Sequence, residues 1–301
     1  MRVVILSLLL VVCSVVARAQ SEKNKTDARA QALIAQARAA IGTDKLKSLA
    51  ATGSYRRVLG EREMSGDIEL EMMLPDKYLK TETLSPMPGI EITRTEAING
   101  EAAWMDTQNS GGGGGMVVFR QGPVGGGNLN PQEAQKVQQQ AVRAEISRLL
   151  LGLLLTTPSS FPVEFSYAGE AEAPDGRADV LNVKGPNGFV AQLFLDQKSH
   201  LPLMLTYKAR KPRIVMNTVT ARSREEIEKL QKEGAAGAQA QVPQDEPPVE
   251  FQVHFADYRN LSGVTLPHRI SKSIEGQVTE EMELSKFKIN PSIKADKFEK
   301  K

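Results

Sequence analysis

The feature that most constrains the fold is a succession of about ten short segments in which apolar and polar residues alternate. In "DIELEMML", residues 67–74, every second residue from Ile68 to Leu74 is apolar. A period of two is typical of a strand with one buried face. Tight turns such as "NGE" at 99–101 join the segments. Because consecutive strands joined by tight turns run antiparallel, the sequence predicts a mainly β (α+β) fold built on an antiparallel meander.

Two segments with helical periodicity accompany the strands. "TDARAQALIAQARAAIG" at 26–42 has an apolar face at helical spacing, and Gly42 suits the position after a helix. "NPQEAQKVQQQAVRAEISRLLLGLLL" follows later, with Asn130 as the N-cap and Pro131 at the first helical position. Its end, "LLLGLLL", is apolar nearly all round. We therefore predict an N-terminal helix and an inserted helix that is deeply buried.

The hairpin "FVAQLFLDQKSHLPLMLTY" at 189–207 has apolar residues on both faces. Leu193 and its in-phase neighbours lie on one face, whereas Val190 and Phe194 lie on the other. We expect both faces to be covered, the second by one of the two helices. A sheet that curves round a helix forms a half-barrel. A phase change within 278–289 also predicts a β-bulge near Ser285 and Lys286.

The N-terminus and the charge balance indicate the cellular compartment. Residues 1–19 contain a short basic start, an apolar run and a small-x-small site, which predicts a signal peptide and a periplasmic protein. The only cysteine, Cys13, lies within it, so the mature chain would contain no disulfide. Removing Arg2 and Arg18 takes the formal charge from +2 to 0, which argues against nucleic acid as a partner.

Residues 20–301 are predicted to form one domain with two departures from the meander. Residues 109–128 are rich in glycine and predict a flexible loop. Residues 209–248 predict an insertion that contains a charged helix at 223–234, followed by a segment of disordered composition.

The sequence contains no pattern that predicts catalysis. It has no H-E-x-x-H motif, no G-x-S-x-G motif and no phosphate-binding glycine motif. His200, His254 and His268 have no metal-site spacing with acidic residues. Carboxylates alternate with apolar residues, as in "DIELE", which is typical of a solvated sheet face. We therefore expect no catalytic residue, no metal and no cofactor, and the chain is predicted not to be an enzyme.

Three stretches resemble the outer-membrane lipoprotein carrier superfamily (LolA, LolB and LppX-like proteins). They are "VAQLFLDQKSHLPLMLTY", "FADYRNLSGVTLPHRI" and "LSKFKINPSIKADKFEK". The resemblance implies a half-barrel of about ten strands with helices covering its concave face. It also implies a periplasmic carrier that binds a lipid or the acyl chains of a lipoprotein.

Apolar residues of the strands and the inserted helix are the predicted lining of such a cavity. They are Ile68, Leu70, Met72, Trp104, Leu150, Leu154, Phe189, Leu193, Phe251, Val253 and Phe255. A cavity and a filled core give the same pattern, so a second hypothesis stays open. In that hypothesis the half-barrel is packed, and the chain is an envelope interaction or sensor module with a protein partner. A monomer is expected in both cases.

Overall fold

The computed structural model describes residues 27–60, 62–111, 116–121, 130–173, 176–211, 214–219 and 247–300. The predicted signal peptide with Cys13, and the charged helix predicted at 223–234, lie outside the described residues.

The described residues form two α-helices and fourteen strands, with three short 3₁₀ turns. The helices are α1 (27–41) and α2 (Pro131–Leu154). The strands are β1 (Ser48–Leu59), β2 (Arg62–Met73), β3 (Lys77–Met87), β4 (Ile90–Asn99), β5 (Ala102–Gly111), β6 (Met116–Gln121), β7 (Glu164–Ala173), β8 (Gly176–Lys184), β9 (Val190–Asp196), β10 (Pro202–Ala209), β11 (Ile214–Val219), β12 (Val249–Leu261), β13 (Val264–Ile274) and β14 (Gln277–Ile289). The 3₁₀ turns are Thr43–Lys45, Pro186–Gly188 and Ala295–Phe298.

Twelve strands form one antiparallel sheet, which confirms the predicted meander. Their order is β5-β4-β3-β2-β1-β14-β13-β12-β10-β9-β8-β7. The sheet therefore consists of two meanders, and the pairing of β1 with β14 joins them. That ladder runs from Leu49 opposite Ile289 to Arg57 opposite Glu280. The first and last strands of the described chain thus meet in the middle of the sheet.

The sequence predicted fewer strands than the structure contains. β6 and β11 pair with each other in a separate two-stranded sheet. β6 lies within the segment predicted as a glycine-rich loop, and β11 lies within the predicted insertion at 209–248. Their sequences, "MVVFRQ" and "IVMNTV", are rich in β-branched residues, which favour strands although the surrounding composition does not.

The predicted bulge in the last strand is confirmed. Thr52 pairs with Lys286 and the next residue, Gly53, pairs with Leu284, so Ser285 is an extra residue in β14. This insertion explains the change of phase, because it returns Leu284 and Phe287 to the same side of the sheet.

Both predicted helices are present, with the expected ends. Gly42 follows α1 with φ 80°, a conformation that glycine adopts without steric cost. Asn130 caps α2, and a capping box links it with Glu133: the Asn130 side chain accepts from the Glu133 backbone N–H at 2.9 Å, and the Glu133 carboxylate accepts from the Asn130 N–H at 3.1 Å.

The sheet curves round α2 as a half-barrel. Arg143 of α2 donates to the carbonyl of Glu101 beside β5, whereas Arg148 lies 3.9 Å from the ring centroid of Tyr207 in β10. β5 and β10 are the first and ninth strands in the sheet order. In a flat sheet, eight strand spacings would separate them by roughly 38 Å. Two side chains only five residues apart on one helix reach both strands because the sheet bends.

We call the side of the sheet that faces α2 the inner face. The hairpin at 189–207 corrects one expectation about the other side. Its residues in phase with Leu193 are buried on the inner face, but Val190 on the outer face is 56% exposed and Phe194 is half-buried. Neither of the two described helices therefore covers the outer face of this hairpin. Exposed apolar residues in small number are common on soluble domains and need no cover.

The apolar end of α2 packs directly on the sheet. Leu150, Leu151, Leu153 and Leu154 are at most 1% exposed. Between them, a Cβ atom at Gly152 would lie 1.8 Å from Cζ of Phe255 in β12. The absence of a side chain at this position lets the helix backbone rest on an aromatic ring.

Replacing Gly152 with alanine is expected to destabilise the protein by about 1–3 kcal/mol. Overpacking against Phe255 outweighs the gain of about 1 kcal/mol in helix propensity. Urea unfolding followed by circular dichroism measures the change. The control is the same substitution made in a Phe255→Leu variant. There Gly152→Ala should lower the free energy of unfolding clearly less, because the ring that meets the new Cβ is absent. Equal costs in the two backgrounds would contradict the proposed contact.

Candidate functional site

The inner face brings together ten of the eleven residues predicted to line a cavity. Ile68, Leu70 and Met72 of β2 lie on it, as do Phe189, directly before β9, and the predicted residues of β9, β12 and α2. All ten are at most 9% exposed and belong to one continuous apolar cluster. They are therefore buried core residues at this face, with α1 and α2 packed over them.

Trp104 lies on the opposite, outer face. In the β4–β5 ladder Trp104 pairs with Ala97, whereas the inner-face residue Ile98 pairs with Ala103. The indole Nε1–H donates to the carbonyl of Phe298 at 3.0 Å, within the C-terminal 3₁₀ turn that covers this part of the outer face. Trp104 is thus separated by the sheet from the other ten predicted residues.

The inner face also carries a group of charged residues that the sequence analysis did not single out. We call it the inner ionic cluster. It consists of Arg57, Lys80, Glu82, Arg94, Glu96, Glu145, Arg148, Lys272 and Glu280. Seven of these residues come from strands of the two meanders, and the other two come from α2.

Cross-strand pairing places the strand residues of the cluster on the inner face. Lys80 pairs with Leu70 on one side and Glu96 on the other, and Glu82 pairs with Ile68 in the same way. Directly paired residues share a face, so these charges lie in the same rows as the apolar residues of β2.

Lys80 joins the two most deeply buried carboxylates. Its Nζ lies 2.7 Å from Oε1 of Glu82 and 2.9 Å from Oε2 of Glu96. Both carboxylate side chains are 1% exposed. Arg57 binds Glu82 from the neighbouring side at 3.0 Å, and Arg94 binds Glu96. Charges buried this deeply are compatible with folding only because each has several partners of opposite charge.

A second part of the cluster joins α2 to the sheet. Glu145 accepts from Arg148 Nη1 at 2.7 Å and from Lys272 Nζ at 3.4 Å. The guanidinium of Arg148 lies over the ring of Tyr207 at 3.9 Å, and Lys272 lies 5.4 Å from the ring centroid of Phe251. These contacts combine ion pairing with cation–π attraction at the helix–sheet interface.

Burial and neighbouring charges act in opposite directions on these groups. Burial disfavours the ionised form of Glu145, but Lys272 and Arg148 outweigh it and lower its pKa to about 2. The pKa of Glu82 is likewise lowered, because Lys80, Arg57 and Arg94 outweigh burial. Burial raises the pKa of Tyr207 to about 12, so its phenol is neutral at pH 7. The carboxylates of the cluster therefore remain charged at neutral pH.

The sequence contained a signal for this cluster. Tyr78 and Leu84 are in phase with Lys80 and Glu82 along β3, which puts the two charges between apolar residues of one face. The interpretation of "DIELE" as a solvated face holds for Asp67 and Glu69, which are exposed, but it is wrong for Glu71, which is 7% exposed and accepts from Lys297 Nζ at 2.7 Å. That interpretation applies to one strand only. On the next strand, β3, the charges of Lys80 and Glu82 are in phase with apolar residues and point inward.

The outer face has an open polar groove of about 770 Å³ between β2, β1, β14 and β13. Its walls mix hydroxyl groups with charges of both signs. They include Thr52, Ser54, Asp67, Thr83, Arg269 and Glu283.

The histidines and carboxylates of the described ranges form no group of three or more that could hold a metal ion. His254 is exposed, and His268 lies 4.8 Å from the ring of Phe287. Burial lowers the pKa of both rings. Within the same ranges, neither helix is long and apolar enough to cross a membrane.

Comparison with known proteins gives similarities of fold. The sequence matches no protein-family model and no curated protein. A DUF1329 family protein from Desulfovibrio piger shares 10% identity at a TM-score of 0.45, over 90% of this chain and 97% of that one. An outer membrane lipoprotein-sorting domain from Vibrio parahaemolyticus shares 10% at 0.45, over 88% and 94%. A LolA superfamily protein from Nitrosomonas europaea shares 11% at 0.43, over 90% and 97%.

The protein from Nitrosomonas europaea belongs to the superfamily that three stretches of this sequence resemble. The curved antiparallel sheet with two helices on its inner face, described above, itself confirms the predicted fold class.

Replacing Lys80 with methionine is expected to lower the free energy of unfolding by about 3–5 kcal/mol. The substitution leaves Glu82 and Glu96 buried without the ammonium group that they share. Arg177→Met is the matched control, since Arg177 and Glu172 form a pair that is 63% and 71% exposed. That change should cost no more than about 1 kcal/mol in the same urea titration. A Lys80→Met cost as small as the control would show that the cluster is solvated.

The stability difference between the wild type and Glu145→Gln is expected to depend on pH. A carboxyl with a lowered pKa in the folded state stabilises the protein fully above its ordinary value and loses that contribution as pH falls through the folded value. The difference should be largest above about pH 5 and shrink as pH falls towards 2. Glu172→Gln is the exposed control, with a difference within about 0.5 kcal/mol throughout. A difference for Glu145→Gln that stays constant between pH 7 and 2 would contradict the assigned ion pairs.

Proposed function

We propose that this chain is a non-catalytic periplasmic binding or carrier protein for a hydrophobic ligand, a lipid or the acyl chains of a lipoprotein. The observation that carries the proposal is the inner face itself. It is a continuous apolar surface on a curved sheet, and what covers it is a single long helix together with α1.

The attachment of α2 suggests how a ligand would gain access. Only its C-terminal half is deeply buried, whereas residues 132–141 are mostly exposed or half-buried. Its C-terminal end is held by α1 and the turn that follows: Arg38 Nε donates to the carbonyl of Leu155, and Thr43 Oγ1 donates to that of Leu154, both at 3.0 Å. In the proposed mechanism the helix swings about this end, and acyl chains take the places that side chains nearer its middle, Val142 and Ile146, occupy against the sheet.

The energetics are favourable for such an exchange. Burying a methylene group contributes about 0.8 kcal/mol, so ten methylenes supply roughly 8 kcal/mol before ordering costs. An acyl chain would occupy positions that Val142 and Ile146 of α2 occupy in the ligand-free state. Those two side chains would lose about 1.5–3 kcal/mol of burial each, which is less than the acyl chain gains. No catalytic group is required.

The proposal is tested on the mature chain, residues 20–301, purified from an envelope extract without detergent. Native mass spectrometry should show bound lipid that organic extraction removes, and the extracted protein should take up a fluorescent fatty acid. Val253→Thr places a hydroxyl on the inner face at nearly constant volume and should weaken uptake by about 1 kcal/mol or more. Trp104→Phe is the outer-face control and should leave uptake unchanged. A protein that is free of lipid and takes up no probe would refute the carrier function.

A second function is favoured by the contact of Gly152 with Phe255. Because the helix backbone touches the ring, the inner face is filled at this point by the protein itself. A packed half-barrel would serve as an envelope interaction module, with a protein partner bound through the segment between β11 and β12. Deleting residues 222–245 leaves both strands intact. Loss of a protein partner on deletion, with no lipid bound to either form, would favour this function over the carrier.

A further inference from the structure

The inner ionic cluster has one more cation than carboxylates. Among the described residues it contains five cations and four carboxylates, and the neighbouring phenol of Tyr207 is neutral at pH 7. An uncompensated positive charge in a partly desolvated site is unfavourable unless an anion approaches it. The cluster is therefore electrostatically suited to receive one negative charge.

On β3 and β4, the cations of the cluster are more exposed to solvent than its carboxylates. Glu82 and Glu96 are 1% exposed, whereas Lys80 is 15% exposed and Arg94 is 21% exposed. The carboxylates thus lie beneath the cations. On β3 and β4 an entering group therefore meets positive charge first, whereas on α2 the carboxylate of Glu145, 37% exposed, is more accessible than Arg148 and Lys272.

Two guanidinium groups retain buried N–H donors. Nε of Arg57 and Nε of Arg148 are inaccessible to solvent and have no hydrogen-bond partner among the described residues. A buried donor without an acceptor costs free energy, and an oxyanion can accept from several such donors at once. Both residues are fixed by other contacts, Arg57 by Glu82 and Arg148 by the ring of Tyr207. The donors are therefore preorganised.

Apolar residues adjoin these cations on the same face. Leu70 pairs across strands with Lys80, and Val253 pairs with Lys272. A charged group and an apolar chain of one molecule would thus find matching surfaces side by side.

We propose that the inner ionic cluster binds the anionic head group, a carboxylate or phosphate, of an amphiphile whose apolar chain lies along the inner face. This inference rests on the proposed carrier function and names its ligand class. The head group would accept hydrogen bonds from the guanidinium and ammonium groups of the cluster, and the chain would lie against the residues of β2 and β12.

The test compares three probes on the delipidated mature protein by isothermal titration calorimetry at constant salt. Dodecyl phosphate and 1-dodecanol share a chain and differ in charge, and inorganic phosphate supplies the charge without the chain. Dodecyl phosphate should bind roughly tenfold or more tightly than dodecanol, since hydrogen bonds to charged groups reach this magnitude. Inorganic phosphate should bind far more weakly than dodecyl phosphate.

Two substitutions in one ion pair give opposite expectations. Lys272→Gln removes a cation and should reduce the preference for dodecyl phosphate several-fold. Glu145→Gln removes a carboxylate from the same pair and should increase that preference. Any structural disturbance from breaking the pair is common to both variants, so it cannot produce opposite shifts. Arg177→Gln and Glu172→Gln repeat the comparison in the exposed pair and should change neither affinity.

The outcomes separate this inference from the function on which it rests. If dodecanol binds as tightly as dodecyl phosphate, or the two variants shift the preference in the same direction, the head-group site is refuted and the carrier function stands. If inorganic phosphate binds as tightly as dodecyl phosphate, the cluster is a site for free anions, and the amphiphile is refuted as its ligand. If neither twelve-carbon probe binds, both proposals fail.

Discussion

The pairing of β1 with β14 is the interaction on which the rest of the structure depends. Each meander can form from local hairpins, but only this ladder, between residues more than two hundred positions apart, joins them into one sheet. Neither half alone, with five strands in one and seven in the other, would reach round α2, which contacts both β5 and β10. The ladder also crosses the inner ionic cluster: Arg57 of β1 contacts Glu280 of β14 at 3.5 Å and Glu82 of β3 at 3.0 Å. The charged and apolar parts of the inner face are thus completed by the same long-range contact.

The inner face combines two surfaces that proteins usually keep apart. Burial of leucine, phenylalanine and methionine side chains is favourable whatever their neighbours. Burial of the carboxylates is tolerated only while their cations remain in place. Replacing the whole cluster by apolar residues of similar size would not necessarily destabilise the fold, since buried ion pairs often contribute little net stability. Stability alone therefore gives no reason for nine charged residues at one site, whereas the head-group proposal gives them a role in recognition.

Local patterns in the sequence predicted much of the fold. The alternation in β2, the cap at Asn130 and the bulge at Ser285 were identified because each depends on neighbouring residues. The number of strands was underestimated, since β6 and β11 lie in segments whose overall composition is typical of loops. The orientation of Trp104 was missed, although the tight turn at 99–101 fixes the phase of β5 relative to β4 and so pairs Trp104 with Ala97. The contact of Trp104 with the C-terminal 3₁₀ turn could not be predicted, because that turn packs from a distant part of the chain.

The inner ionic cluster shows why a candidate site is harder to predict than a sheet. Its members come from β1, β3, β4, β13, β14 and α2. The proximity of strands from different meanders becomes evident only when the β1–β14 ladder is known. A charge in phase with apolar residues on one strand is ambiguous, because it can interrupt a dry face or mark a strand end. The ambiguity disappears when the paired strand carries the opposite charge in the same row, as Glu96 does opposite Lys80. In a meander, reading charge across each predicted hairpin, as well as along each strand, would have placed the Lys80–Glu96 pair on the inner face from the sequence alone.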